Sequence, residues 1–162
     1  MTREFSHLDE TGGISMVDVG AKRVTAREAV AVATVRMQPA TLTKLVESAL
    51  PKGDVLTTAK VAGVLAAKQT SALIPLTHPV NINSVDITFD LDRAGGGIEV
   101  RAIVRCDGKT GVEMEAMTAC AVAALTIYDM CKSAEKGISI ESLQLVRKSG
   151  GKSGLWERSL ES

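Results

Sequence analysis

Residues 85–106 constrain the fold more than any other stretch. Val85, Ile87, Phe89 and Leu91 alternate with Asp86, Thr88, Asp90 and Asp92; Gly95-Gly-Gly97 then turns the chain. On the return, Ile98, Val100, Ala102, Val104 and Cys106 alternate with Glu99, Arg101, Ile103 and Arg105. A period of two, apolar on one side and charged on the other, is the pattern of an antiparallel hairpin buried on one face. A two-stranded hairpin is marginal by itself in water, so that face needs a cover.

The flanking segments supply it. Residues 24–37 alternate Ala29, Ala31, Ala33, Val35 and Met37 with Val30, Val32, Thr34 and Arg36, which predicts a further strand. Pro39 suits the first turn of a helix, which Leu42, Leu45, Val46, Ala49 and Leu50 continue until Pro51 stops it. Asp54 is placed to cap a second helix with a buried stripe of Val55, Ala59, Ala62, Leu65 and Ala66. Pro75 and Pro79 make the next segment extended and stiff, holding His78 on a restricted backbone.

A long helix is expected over residues 112–135, closed by Gly137, with small apolar positions at Ala116, Ala119, Cys120, Ala123 and Ala124 and a larger one at Ile127. Residues 138–146 alternate as a last strand. The order β, α, α, β, β, α, β reads as α+β, with a ferredoxin-like antiparallel sheet packed against helices as the nearest simple architecture. No repeat or linker divides the 162 residues, so a single domain is expected. Residues 1–13 would form a mobile arm, and residues 148–162 a glycine-rich loop and tail.

Nineteen Lys and Arg balance nineteen Asp and Glu, which argues against a broadly basic nucleic-acid binder. The aromatic residues are Phe5, Phe89, Tyr128 and Trp156, too few for a base-stacking platform. Twenty alanines and 14 glycines imply a thin, closely packed core instead. Cys106, Cys120 and Cys131 match neither a disulfide framework nor a zinc ribbon, and read as reduced thiols. The polar start of the chain and the lack of an uninterrupted apolar run long enough to span a bilayer point to a cytoplasmic protein with no membrane partner.

Four polar groups lie where packing alone would not need them. Lys52 sits between two helices, and would be an ordinary solvated lysine if it stood alone. His78 suits a functional role and a structural bond to a carbonyl about equally. Glu113 and Glu115 open the long helix, where acidic residues also serve the helix dipole. Asp129 and Lys132, three residues apart, form either a proton-transfer pair or an exposed ion pair.

Glu115 and Asp129 are fourteen helical positions apart, or about 21 Å along the axis. One chain cannot bring both to a small pocket. Either their sites are separate or two subunits combine opposite helix ends, as a symmetric oligomer allows.

Gly151-Lys-Ser153 and Gly108-Lys-Thr110 resemble the end of a phosphate-binding loop, but Val146 and Ile103 stand where that motif requires glycine. A conventional nucleotide triphosphatase is excluded on that ground. Arg147, Lys148 and Lys152, among small neighbours, still suit an anion clamp or a basic solvated tail.

Read together, Met16-Val-Asp-Val, Pro51-Lys-Gly-Asp-Val, Leu73-Ile-Pro-Leu-Thr-His-Pro, Thr110-Gly-Val-Glu-Met-Glu-Ala, Ala124-Leu-Thr-Ile-Tyr-Asp-Met-Cys-Lys and Lys148-Ser-Gly-Gly-Lys-Ser-Gly resemble the molybdenum cofactor biosynthesis protein C (MoaC) family. The resemblance runs in order from Met16 to Gly154. It implies a cyclic pyranopterin monophosphate synthase that converts (8S)-3′,8-cyclo-7,8-dihydroguanosine 5′-triphosphate to cyclic pyranopterin monophosphate with release of diphosphate. It also implies a hexamer built as a trimer of dimers, with sites between subunits.

Carried over by motif, Asp129, Lys132 and Lys52 are the catalytic candidates. Arg27, Leu76, Thr77, His78, Glu113, Met114, Glu115 and Lys148 are the substrate-binding ones. Thr77 stands where the family often has cysteine, and Lys60 where arginine is common. The residues require no protein-held metal or redox cofactor, and Mg²⁺ arriving with the triphosphate is compatible with them. The rival expectation is a non-catalytic oligomeric module that binds a nucleotide.

Overall fold

The structure, a computed structural model, describes His7, residues 11–47 and residues 54–159. In chain order the elements are β1 (Thr25–Arg36), α1 (Pro39–Val46), α2 (Val55–Lys68), α3 (Thr70–Leu73), β2 (Ile82–Asp92), β3 (Gly97–Gly108), α4 (Glu113–Cys131), β4 (Ser139–Ser149) and β5 (Trp156–Glu157). The strands form one sheet in the order β2-β3-β1-β4-β5, antiparallel throughout. The class is α+β. β3 lies between β1 and β2, so the chain leaves β1 through helices and returns to a strand one place removed.

The predicted hairpin is β2 and β3, in register from Val85 opposite Val104 to Asp92 opposite Gly97. Every inward residue of β3 from Ile98 to Cys106 is buried. β1 follows its predicted alternation, with Ala29, Ala31, Ala33 and Val35 all at 0% exposure beneath α4. Across from them, Ala116, Ala119, Cys120, Ala123, Ala124 and Ile127 of α4 are equally closed. Small side chains on both surfaces bring helix and sheet close together. Burial pushes the Cys120 thiol up to about 12, so it stays protonated in the core.

Several expectations need correction. α4 stops at Cys131, four residues before the expected end; Lys132 begins a turn in which the Ala134 and Glu135 amides both donate to the Cys131 carbonyl. Gly137 therefore does not close the helix. Leu65 is 57% exposed; Gly63 takes its place in the buried stripe of α2, with Val55, Ala59, Ala66 and Ala67. A one-turn helix, α3, for which no expectation was stated, follows α2 and ends at Leu73, where the expected extended segment begins. Residues beyond Gly154 add β5, which pairs Glu157 with Arg147 and Trp156 with Lys148, instead of trailing as a tail.

The expected Asp54 cap is present, accepting from the Thr57 amide at 2.9 Å. The expected arm over residues 1–13 falls mostly outside the described residues, as do Ala49, Leu50 and Pro51.

The expectation about membranes holds only for uninterrupted apolar runs. Among the described residues α4 is long and apolar enough to cross a bilayer, with a mean hydropathy of 1.2. Its packing against α2 and the sheet accounts for that composition as a core helix.

Candidate functional site

The site forms where three chain segments meet at the N-terminal end of α4, with His7 beside them. The loop of residues 108–111 leaves β3 and delivers Glu113, Met114 and Glu115 on the first turn of that helix. Residues 76–78 arrive from α3, and the turn there is fixed by Thr77, whose hydroxyl and amide both donate to the Ile74 carbonyl at 2.9 and 3.2 Å. The Thr77 hydroxyl is thus used structurally. Residues 17–22 form the last wall.

Together they enclose a cavity of about 370 Å³ lined by Leu76, Thr77, His78, Glu113, Met114 and Glu115, with Val17, Val19 and Lys22 from the N-terminal segment. That volume matches a small-molecule site. Beside it runs a groove of about 520 Å³ lined by Lys22, Arg27, Lys109, Thr110, Glu113, Lys148 and Lys152. Lys22, Thr110, Gly111 and Glu113 line both, so cavity and groove are continuous.

Charge is divided between the two parts. In the cavity Glu115 is only 3% exposed, and burial, reinforced by the neighbouring Glu113 carboxylate, raises its carboxyl above the usual range. In the groove Lys148 donates to Glu113 Oε1 at 2.8 Å. Arg27 donates Nε to the Gly108 carbonyl and Nη2 to the Lys109 carbonyl, each at 3.3 Å. A guanidinium has five N–H donors, so Arg27 braces the loop with some and keeps others for an anion.

Gly151 makes this close arrangement feasible. Its φ is +71°, and a Cβ there would stand 1.8 Å from Arg27 Nη1, so a side chain would displace the guanidinium.

The raised carboxyl of Glu115 has a pH consequence. Below the usual carboxylate range both folded and unfolded chains hold its proton, and no penalty arises. As pH rises through the unfolded value, the folded chain binds more protons than the unfolded one, and stability falls until the folded value is passed. Glu115→Gln removes this term. Its melting temperature should gain on the parent's as pH rises above the usual carboxylate range, as read by thermal denaturation at a series of pH values. A difference independent of pH would show that the buried carboxyl is not protonated differently in the two states.

Eight of the expected residues thus gather here: Leu76, Thr77, His78, Glu113, Met114 and Glu115 around the cavity, and Arg27 and Lys148 along the groove. Lys52 lies outside the described residues. Asp129 and Lys132 are not at this site in the same chain. They pair at 2.6 Å on the far turns of α4, half exposed or more, and that hydrogen bond raises the Lys132 ammonium above its usual value.

Arg147 is also not part of the clamp. Adjacent strand residues face opposite sides of a sheet; Lys148 takes the groove side, and Arg147 pairs with Glu28 and Glu157. Lys22, Lys109 and Thr110 are additional lining residues that the sequence reading overlooked. The Gly-Lys-Thr string was the available signal, but testing it only as a nucleotide triphosphatase loop set it aside.

The fold and the site define an α+β protein with a small-molecule cavity, acidic on its inner edge, opening into a cationic groove. The chain belongs to the MoaC family, whose profile matches residues 16–151. A relative from Chloroflexus aggregans is 55% identical over 155 residues, covering 96% of this chain and 94% of the relative. Relatives from Geobacter sulfurreducens and Oleidesulfovibrio alaskensis are each 56% identical over 154 residues, covering 95% of this chain and 96% and 97% of theirs. All three are named cyclic pyranopterin monophosphate synthase.

Proposed function

We propose that this chain is a cyclic pyranopterin monophosphate synthase, a lyase-type enzyme of molybdenum cofactor biosynthesis. It takes (8S)-3′,8-cyclo-7,8-dihydroguanosine 5′-triphosphate to cyclic pyranopterin monophosphate and diphosphate. The observation that carries this reading is the joined cavity and groove: a carboxylate-edged space of heterocycle size beside a cationic channel suited to a triphosphate.

The chemistry assigns roles. Glu113 or Glu115 receives the guanidine-like edge of the base, since a carboxylate accepts two parallel N–H donors. Leu76, Thr77, His78 and Met114 shape the pocket around it, and His78 binds phosphate or supplies a proton. Cyclisation breaks the bond between the α-phosphorus and the oxygen bridging to the β-phosphate, as a hydroxyl of the substrate takes its place on the α-phosphorus. Arg27, Lys148 and Lys52 stabilise the charge that develops on the departing diphosphate. Asp129, paired with Lys132, carries protons while the purine-derived ring opens and closes again as a pterin.

For Asp129 and Lys132 to act at the cavity they must come from another subunit, because α4 separates Asp129 from Glu115 by about 21 Å. A hexamer arranged as a trimer of dimers supplies such shared sites. Val61 and Leu65 on α2 and Leu125 on α4, each more than half exposed, leave apolar surface on the helical layer that assembly would cover. Buried cysteines that stay reduced suit a reducing, cytoplasmic setting. Any Mg²⁺ the reaction uses would arrive with the substrate triphosphate. The small cyclic nucleotide is the partner, with neither nucleic acid nor membrane involved.

Incubation with the cyclic guanosine triphosphate intermediate tests the activity, with cyclic pyranopterin monophosphate and diphosphate as the readout. Subunit mixing tests the shared site. Asp129→Asn and Lys148→Ala, each inactive alone, should recover activity in mixed oligomers, with about a quarter of sites intact. No recovery after verified mixing would place both residues' contributions within one chain.

A further inference from the structure

The N-terminal segment that walls the cavity is built differently from the rest of the protein. Gly13, Ser15, Val17 and Val19 are half-buried while Ile14, Met16, Asp18 and Gly20 are exposed, so the segment lies extended with one edge against the body. It belongs to no strand of the sheet. Its internal bonds are local: the Gly20 amide donates to Asp18 Oδ1 at 2.7 Å and the Lys22 amide to the Val19 carbonyl at 3.1 Å.

A side chain from the body reaches it. Lys109 Nζ donates to the Gly20 carbonyl at 2.7 Å. Lys109 sits on the loop that Arg27 braces from β1, so a continuous bonded path runs from the sheet through Arg27 and Lys109 to the strap. The same lysine lines the cationic groove. An ammonium has three donors, so holding Gly20 leaves two for an anion in the groove.

We propose that Lys109 is a positioning residue that latches residues 17–22 as the wall of the heterocycle cavity and couples that wall to occupancy of the phosphate groove. This rests on the assignment above of cavity and groove to the heterocycle and the triphosphate. A phosphate in the groove and the Gly20 carbonyl hold the ammonium from two sides, restricting its rotamers. Filling the groove therefore tightens the strap, and by reciprocity an ordered strap favours filling the groove.

The test uses the full chain, inorganic tripolyphosphate as probe, and hydrogen exchange of peptides covering residues 14–22, with β3 peptides as the control for folding. In the parent protein tripolyphosphate should slow strap exchange. Lys109→Met should speed strap exchange about tenfold without probe and abolish the slowing, since one hydrogen bond to a charged group is lost. Lys109→Arg, which keeps a donor to Gly20, should restore both effects in large part.

In turnover Lys109→Met should raise KM about tenfold, and Lys109→Arg should bring it back towards the parent value. Unchanged strap exchange in Lys109→Met, with tripolyphosphate binding weakened, would overturn the proposal and leave Lys109 a simple phosphate contact. If β3 peptides also lose protection in Lys109→Met, the Arg variant decides, because a latch predicts parental strap protection there. Absence of turnover by the parent protein would sink the assigned reaction, whereas the exchange experiment reads the latch independently.

Discussion

Asp129→Asn should reduce diphosphate release by about 10²- to 10⁴-fold, the range for removing a positioned general acid or base. Folding and assembly should be preserved. Asp129 lies on an exposed turn of α4, and a hydrogen bond of 2.6 Å joins it to Lys132, three residues on at the cap of that helix. Such an exposed pair contributes little to stability, and asparagine retains the shape and a hydrogen-bonding oxygen. The measurement is single-turnover diphosphate release at saturating cyclic substrate, beside the sedimentation profile and binding of tripolyphosphate. Parental turnover in the variant would remove Asp129 from the acid–base role. It would also remove the need for two chains to combine opposite ends of α4.

Gly63→Val should cost about 3 kcal/mol, at the upper end of ordinary overpacking. Gly63 is where α2 crosses α4 above the sheet: a Cβ there would lie 2.4 Å from Ile87 Cδ1 and 2.9 Å from the Ala119 carbonyl oxygen. The isoleucine can rotate away, but the carbonyl belongs to the backbone of the central helix and cannot. A branched side chain must therefore push the helices apart. For a chain of this length the loss corresponds to a melting temperature lower by roughly 6–12 °C. Calorimetry or thermal circular dichroism measures it. A fall below about 2 °C would show that the crossing has slack that the Ala-rich packing does not suggest.

The two sites differ in how plainly the sequence announced them. The hairpin, β1 and the Asp54 cap were legible because each depends on neighbours in the chain: strand alternation, glycines at a turn, an acceptor three residues from an amide. Gly63 was not. Its role is set by Ile87 and Ala119, 24 and 56 residues away, and the apolar periodicity of α2 favoured Leu65, which the structure leaves exposed.

The end of α4 was misplaced because residues 132–135 carry no strong stop signal, while Gly137, the expected stop, lies beyond the real end. β5 escaped notice because two residues cannot display a period.

The candidate site shows the same division. Motif strings located Leu76, Thr77, His78, Glu113, Met114, Glu115 and Lys148, Arg27 was added from outside them, and all eight line one continuous surface. Arg147 was grouped with Lys148 because they are adjacent in sequence. The pleat of β4 sends them to opposite faces, Arg147 to Glu28 and Lys148 to Glu113. Lys22 and Lys109 come from segments 87 residues apart and meet only in the folded chain.

The sequence by itself determined the α+β class, the small-residue core and the division of charge into local clusters, since alternation, helical spacing and composition act over a few residues. Which clusters meet was decided by the tertiary structure. Chain order does not say that β3 lies between β1 and β2, or that residues 17–22 fold over the first turn of α4. The equal count of 19 cations and 19 acids shows the point: zero is an average, and only packing separates a buried Glu115 from the lysines and arginine of the groove beside it.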